Sequence, residues 1–76
     1  MSKEEKDFYN YVVIQFSGEF NMITEGSIVC GIMGITYDEY WDIIENYGNL
    51  ALKYPESYKK AQEKGRIRGK IMRGEM

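Results

Sequence analysis

The side chains with chemistry to offer fall into two groups of opposite charge. Asp38, Glu39, Asp42 and Glu45 crowd one short stretch, and Lys59, Lys60, Lys64, Arg66, Arg68, Lys70 and Arg73 crowd another. Neighbouring carboxylates can hold a cation or exchange protons. These four lack the oxygen-rich loop spacing of a cation site, and at helical spacing they spread over adjoining faces, so they read as a solvated acidic surface. There is no histidine, hence no imidazole base near neutral pH. The single cysteine, Cys30, lies among apolar residues and reads as a small core residue rather than a nucleophile. It excludes an internal disulfide and a cysteine metal cluster. The glycines nowhere form the phosphate-cradling pattern GxxxxGK[ST]. The expectation is a protein that is not an enzyme, with no metal and no cofactor.

Binding chemistry is better represented. The seven basic residues named above suit phosphate contacts. Thr36, Tyr37, Trp41 and Asn46 add polar and aromatic groups on a neighbouring segment. Residues 1–57 hold three lysines and ten acids, a net of −7, whereas residues 58–76 hold seven basic residues and two acids, a net of +5. The pattern is a basic C-terminal helix or tail on an acidic body. The same asymmetry allows the tail to fold against its own body. On the acidic side, Tyr37, Asp38, Trp41, Asp42 and Glu45 form a candidate protein-binding face, since Tyr and Trp are enriched among interface hot spots.

The elements that position these groups can be read from local signals. Thr36 and Glu39 make a T-x-x-E capping box, and Asp38 and Glu39 suit the positive end of a helix dipole. Tyr40, Ile43, Ile44 and Tyr47 follow at helical spacing, with Gly48 as the expected stop. Upstream, Ile28, Val29, Ile32 and Met33 give an apolar face, with Thr24 or Ser27 as its cap. Gly34 and Ile35 alone separate the two segments, so the chain must turn sharply. The first segment, Ser2 to Phe16, opens on a possible Ser2–Glu5 capping box. Tyr11 to Phe16 is rich in β-branched and aromatic residues, yet helix is favoured because a lone strand leaves its backbone unpaired. Gly18 to Met22 reads as a loop with Asn21 as its turn former. Beyond Gly48 the chain either continues past a kink or starts a short separate helix. Pro55 breaks the chain at Tyr54 and then suits the first turn of a last helix, from about Glu56 to Arg68 or beyond. There Tyr58, Ala61 and Gly65 form a stripe for close packing. Gly65, Gly69 and Gly74 weaken that helix by roughly 1 kcal/mol each, which predicts a frayed end.

The segment from Val29 to Ile43 resembles the helix-turn-helix family. Cys30 stands at the small position of the first helix, Gly34 at the turn, and Val29, Met33, Ile35, Tyr40 and Ile43 at the apolar positions. The resemblance covers about a third of the chain and implies contact with duplex DNA. Residues Phe16 to Tyr58 also resemble small uncharacterised proteins of phages and prophages, through Ser17, Gly18, Asn21, Met22, Tyr37, Glu39, Ile43, Ile44 and Glu45. The segment YPESYKKAQEKGRIRGK is similar to the part that follows the helix-turn-helix in small-terminase-like phage proteins, through Pro55, Glu56, Tyr58, Ala61, Lys64 and Gly65.

With 76 residues, 43% of them apolar, the expectation is one all-α domain of three to four helices with a helix-turn-helix-like centre. A core shared in a homodimer would suit so short a chain. No apolar run approaches the roughly 20 residues of a membrane span, and a cytoplasmic site in a host cell is expected. The functional expectation is a small phage-type DNA-associated regulator. Double-stranded DNA would be held by Thr36, Tyr37, Trp41 and the seven basic residues. The alternative is a phage-encoded module that inhibits or redirects a host protein through the acidic aromatic face. Four acids on the second helix oppose its entry into a phosphate-lined groove, which keeps that alternative open.

Overall fold

The computed structural model describes residues 1–74. They form five helices: α1 (Lys3–Ser17), α2 (Gly26–Met33), α3 (Tyr37–Glu45), α4 (Tyr47–Lys53) and α5 (Pro55–Arg73). The described chain is all-helical as expected, with one helix more than the three to four read from the sequence.

α1 is the centre. Tyr11, Val12, Val13 and Ile14 are four consecutive buried residues. Four successive positions face all sides of a helix, so this helix is surrounded by its neighbours. Being apolar all round is what gave the segment its strand-like look. Ser2 caps it by accepting from the Glu5 amide. The second half of the expected capping box is absent, because the Glu5 carboxylate accepts from the Ser57 hydroxyl on α5 instead.

α5 runs parallel to α1. Ser57 meets Glu5, Gly65 lies on Val13 and Gly69 on Ser17, each pair at the same offset. The buried stripe of α5 is Ser57, Ala61, Gly65 and Gly69, one residue per turn. A Cβ added at Gly65 would lie 2.6 Å from the Val13 carbonyl oxygen and 2.7 Å from Phe16 Cβ. At Gly69 it would lie 2.5 Å from the Ser17 carbonyl oxygen. The two backbones are therefore in direct contact, which only glycine permits. α5 is helical to Arg73 and ends on left-handed Gly74. The residues after Gly74 lie outside the described part. The stripe also differs from the expected one. Tyr58 is half-buried and stacks on Phe8 with ring centroids 5.8 Å apart, and Ser57 and Gly69 complete the row.

Three expected boundaries moved. Gly48 does not stop α3; Asn46 does, with its side-chain amide donating to the Asp42 carbonyl and so competing with the helix. Gly48 lies inside α4, which is a separate short helix. Neither Thr24 nor Ser27 caps α2. Its N-cap is Glu25, and the turn before it is held by Asn21, whose side-chain oxygen accepts from the amides of Ile23 and Thr24. The break at Tyr54 stands where Pro55 places it.

The core closes within one copy of the chain. Its largest fully buried side chains are Tyr40, Phe8, Val12 and Val29, and Cys30 is buried with them. The accessible area, 4910 Å², matches the roughly 4800 Å² of a compact folded monomer of this mass. Phenolic groups inside the core are satisfied: Tyr40 donates to the Met22 carbonyl at 2.7 Å, and Tyr47 donates to Gln15 at 2.6 Å.

Replacing Gly65 or Gly69 by alanine should destabilise the protein by about 1–3 kcal/mol despite the gain in helix propensity. Gly48→Ala meets open space in a helical backbone and should stabilise by roughly 0.5–1 kcal/mol. Urea unfolding of the three variants separates close approach from mere flexibility.

Candidate nucleic-acid interface

α2 and α3 are joined by the tight turn at Gly34 that the sequence predicts. Gly34 has a φ of 72°, and its N–H reaches the carbonyls of Cys30 and Gly31. Val29, Tyr40 and Ile43 are buried, and Met33 and Ile35 pack against them. Gly26 is buried face to face with Tyr40: a Cβ there would lie 2.9 Å from the ring. Nothing local in the sequence marks that approach, and it was not foreseen.

The capping box of α3 is complete. The Thr36 hydroxyl accepts from the Glu39 amide at 3.1 Å, and the Thr36 amide donates to Glu39 Oε1 at 3.0 Å. Glu39 Oε2 accepts from Lys3 at 2.8 Å, and the same ammonium reaches Asp7 at 2.6 Å. The Lys3 hydrogen bond first, and the Thr36 amide second, push the Glu39 carboxyl down to about 2. Thr36 is thus engaged as a cap. Tyr37 is exposed and meets half-buried Trp41 edge-on at 5.9 Å. Asp38, Asp42 and Glu45 are exposed and hold no ion pair among the described residues. Beside them an acid-lined depression of about 300 Å³ contains Lys3, Glu4, Asp7, Glu39 and Asp42. No cluster of side chains among the described residues is placed to hold a metal ion.

All seven basic candidates lie on α5, and all are exposed. Their seats differ. Arg68 pairs with Glu19, Lys64 lies over the Tyr9 ring at 5.8 Å, and Arg66 lies over the Phe16 ring at 5.3 Å. Tyr9 and Phe16 are two turns apart on α1, so their common face was legible; their cationic partners were not. Lys59, Lys60 and Lys70 hold no ion pair among the described residues. At about 3.6 residues per turn, Lys59, Arg66 and Lys70 fall on one face, away from the buried stripe. Arg73 does not join them, because its guanidinium folds back to the α1–α5 seam, 3.0 Å from where a Cβ at Gly69 would lie and 3.8 Å from one at Gly18. The row from Lys59 to Lys70 runs for about 16 Å at 1.5 Å per residue.

The structure does not bring the two groups of candidates together. α3 meets α1 through Tyr40 on Tyr11 and through Glu39 on Lys3. α5 meets α1 through Val13, Phe16 and Ser17. Positions 11 and 13 point to nearly opposite sides of a helix, and α5 shares no extended interface with α2 or α3. Thr36, Tyr37 and Trp41 therefore lie on one side of α1 and the basic row on the other.

Comparison with protein-family models, curated proteins and solved structures finds no significant match to this chain. None of the described helices is long and apolar enough to cross a membrane.

The α3 cap carries a pH signature. Glu39 is held below its ordinary 4.5, and Glu4 is lowered too, chiefly by Lys53. The unfolded chain binds protons first, so the stability these groups contribute is complete above about pH 4.5 and is lost as pH falls toward 2. The thermal midpoint should drop through that window, and the drop should be shallower in Glu39→Gln.

Proposed function

We propose that the protein is a small DNA-associated regulator of the phage type it resembles, and that it holds duplex DNA by its phosphates through the outer face of α5. The supporting observation is the row of Lys59, Arg66 and Lys70 on a helix whose inner face is locked onto α1. A rigid row of cations presents its charge without an ordering cost, and each phosphate neutralised releases counterions. α3 does not enter the groove in this reading. Its exposed groups are acidic, whereas a major-groove reader presents Arg, Lys, Asn or Gln. Recognition is therefore of backbone charge rather than of sequence.

A second reading is favoured by one observation. Tyr37 and Trp41 form an exposed-to-half-buried aromatic pair ringed by Asp38, Asp42 and Glu45 without ion-pair partners. Such a face suits a basic surface of a host protein, and it lies far enough from α5 to act independently.

Fluorescence anisotropy with random duplex DNA across a salt series tests the first reading. Affinity should fall steeply with salt. The triple variant Lys59→Ala, Arg66→Ala, Lys70→Ala should reduce the slope of log K against log salt by about 3, since each cation removed leaves one phosphate with its counterion. An unchanged slope, or no binding at low salt, would leave the acidic aromatic face as the functional surface.

A further inference from the structure

The apolar face read for α2 is not wholly buried. Val29 is covered, but Ile28 and Ile32 are 52% and 58% exposed. Two more isoleucines, Ile67 and Ile71, are 52% and 61% exposed on α5. Single exposed apolar residues are ordinary. These are not scattered, because each pair lies one turn apart on its helix. Between the two helices runs a groove of about 270 Å³. Tyr9 and Val13 of α1 are in its floor, Ile32 and Met33 form one wall, and Lys64 and Arg68 form the other. Ile67 and Ile71 adjoin Lys64 and Arg68 on the α5 wall, and Lys60 continues it one turn earlier. The groove itself is lined more by polar than by apolar surface, with Asn10 beside the two cations, and the exposed isoleucines stand along its rims; apolar rims with cations on one wall make a directional site.

We propose that this groove docks an acidic amphipathic helix of a partner protein. A helix seats its apolar i, i+3, i+4 and i+7 positions along such rims, and carboxylates along its flank would face Lys60 and Lys64, Arg68 being paired with Glu19. Charge complementarity selects this occupant over the others. In a second copy of this chain the acid-bearing helix α3 has its apolar residues Tyr40 and Ile43 in its own core, so no free acidic amphipathic helix is available. Two copies placed groove to groove would also bring their cationic walls together. A nucleic acid finds isoleucines on both walls, and these offer no donors to a phosphate. The proposal is independent of the DNA reading, which uses the outer row of Lys59, Arg66 and Lys70.

The test titrates the isotope-labelled chain with a synthetic helical peptide of about four turns, with leucine at the seam positions and glutamate elsewhere. The same peptide with lysine for glutamate is the control, and duplex DNA is titrated separately. Saturable amide shifts at Tyr9, Val13, Ile32 and Met33 are expected with the acidic peptide and not with the basic one. Ile32→Lys, at an exposed position that leaves the fold intact by circular dichroism, should weaken binding about tenfold. Lys64→Glu should weaken it several-fold. Equal binding of the basic peptide, shifts confined to α3, or shifts of the groove residues by DNA would overturn the proposal. So would self-association in sedimentation that Ile32→Lys abolishes, since the groove would then belong to a second copy.

Discussion

The contact on which the rest depends is the backbone approach of α5 to α1. Gly65 and Gly69 lie against the carbonyl oxygens of Val13 and Ser17, with no room for a side chain between them. Such an approach replaces side-chain interdigitation by main-chain packing over two turns. It commits the inner face of α5 between Ala61 and Gly69 to small residues, so the long side chains of that stretch are directed outward or sideways. The exposed positions of Lys59, Arg66 and Lys70 follow from that commitment. Further up the interface, where Ser57 and Tyr58 replace glycine, the aromatic rings of Phe8, Tyr47 and Tyr58 fill the widening space.

Charge is sorted by the same arrangement. α1 is apolar through its middle and stands between the acidic helix α3 and the basic helix α5. The basic residues of α5 do not collapse onto α3, because α1 lies between them. The cross-helix ion pairs sit at the edges instead: Lys3 with Glu39, Lys53 with Glu4, and Arg68 with Glu19. Exposed pairs of this kind contribute little each, so they trim the charge distribution without determining the fold. What remains is a body with two surfaces of opposite sign. A duplex held along α5 would find the carboxylates of α3 on the far side, where their repulsion is weakened by distance and salt.

The groove between α2 and α5 follows from helix lengths. α2 is short and covers α1 with Val29 and Cys30, while Ile28 and Ile32 overhang. α5 covers the adjacent side, and the strip of α1 between them keeps Tyr9 only half-covered. Burying that strip would need one more helix than the described chain supplies.

Much of what depends on neighbours in sequence was legible from the residues alone. The Thr36–Glu39 cap and the Asn21 turn are set by side chains bonding within a few residues of themselves, the turn at Gly34 by the absence of a side chain, and the break before Pro55 by the steric demand of its ring. Local signals also compete: Glu5 leaves the Ser2 box for Ser57 on α5, and Asn46 ends α3 before Gly48 can. The faces were legible only in part: spacing correctly placed Val29, Tyr40 and Ile43 inside, but it placed Ile28 and Ile32 there too, because an apolar residue carries no mark of whether a neighbour arrives to cover it. Gly65 and Gly69 illustrate the same limit, since a glycine that loosens an isolated helix becomes indispensable where another backbone touches it. The separation of Thr36, Tyr37 and Trp41 from the basic row was decided by tertiary structure alone. It depends on which sides of α1 the other helices occupy, and that is settled by competition among distant contacts for the burial of one central helix.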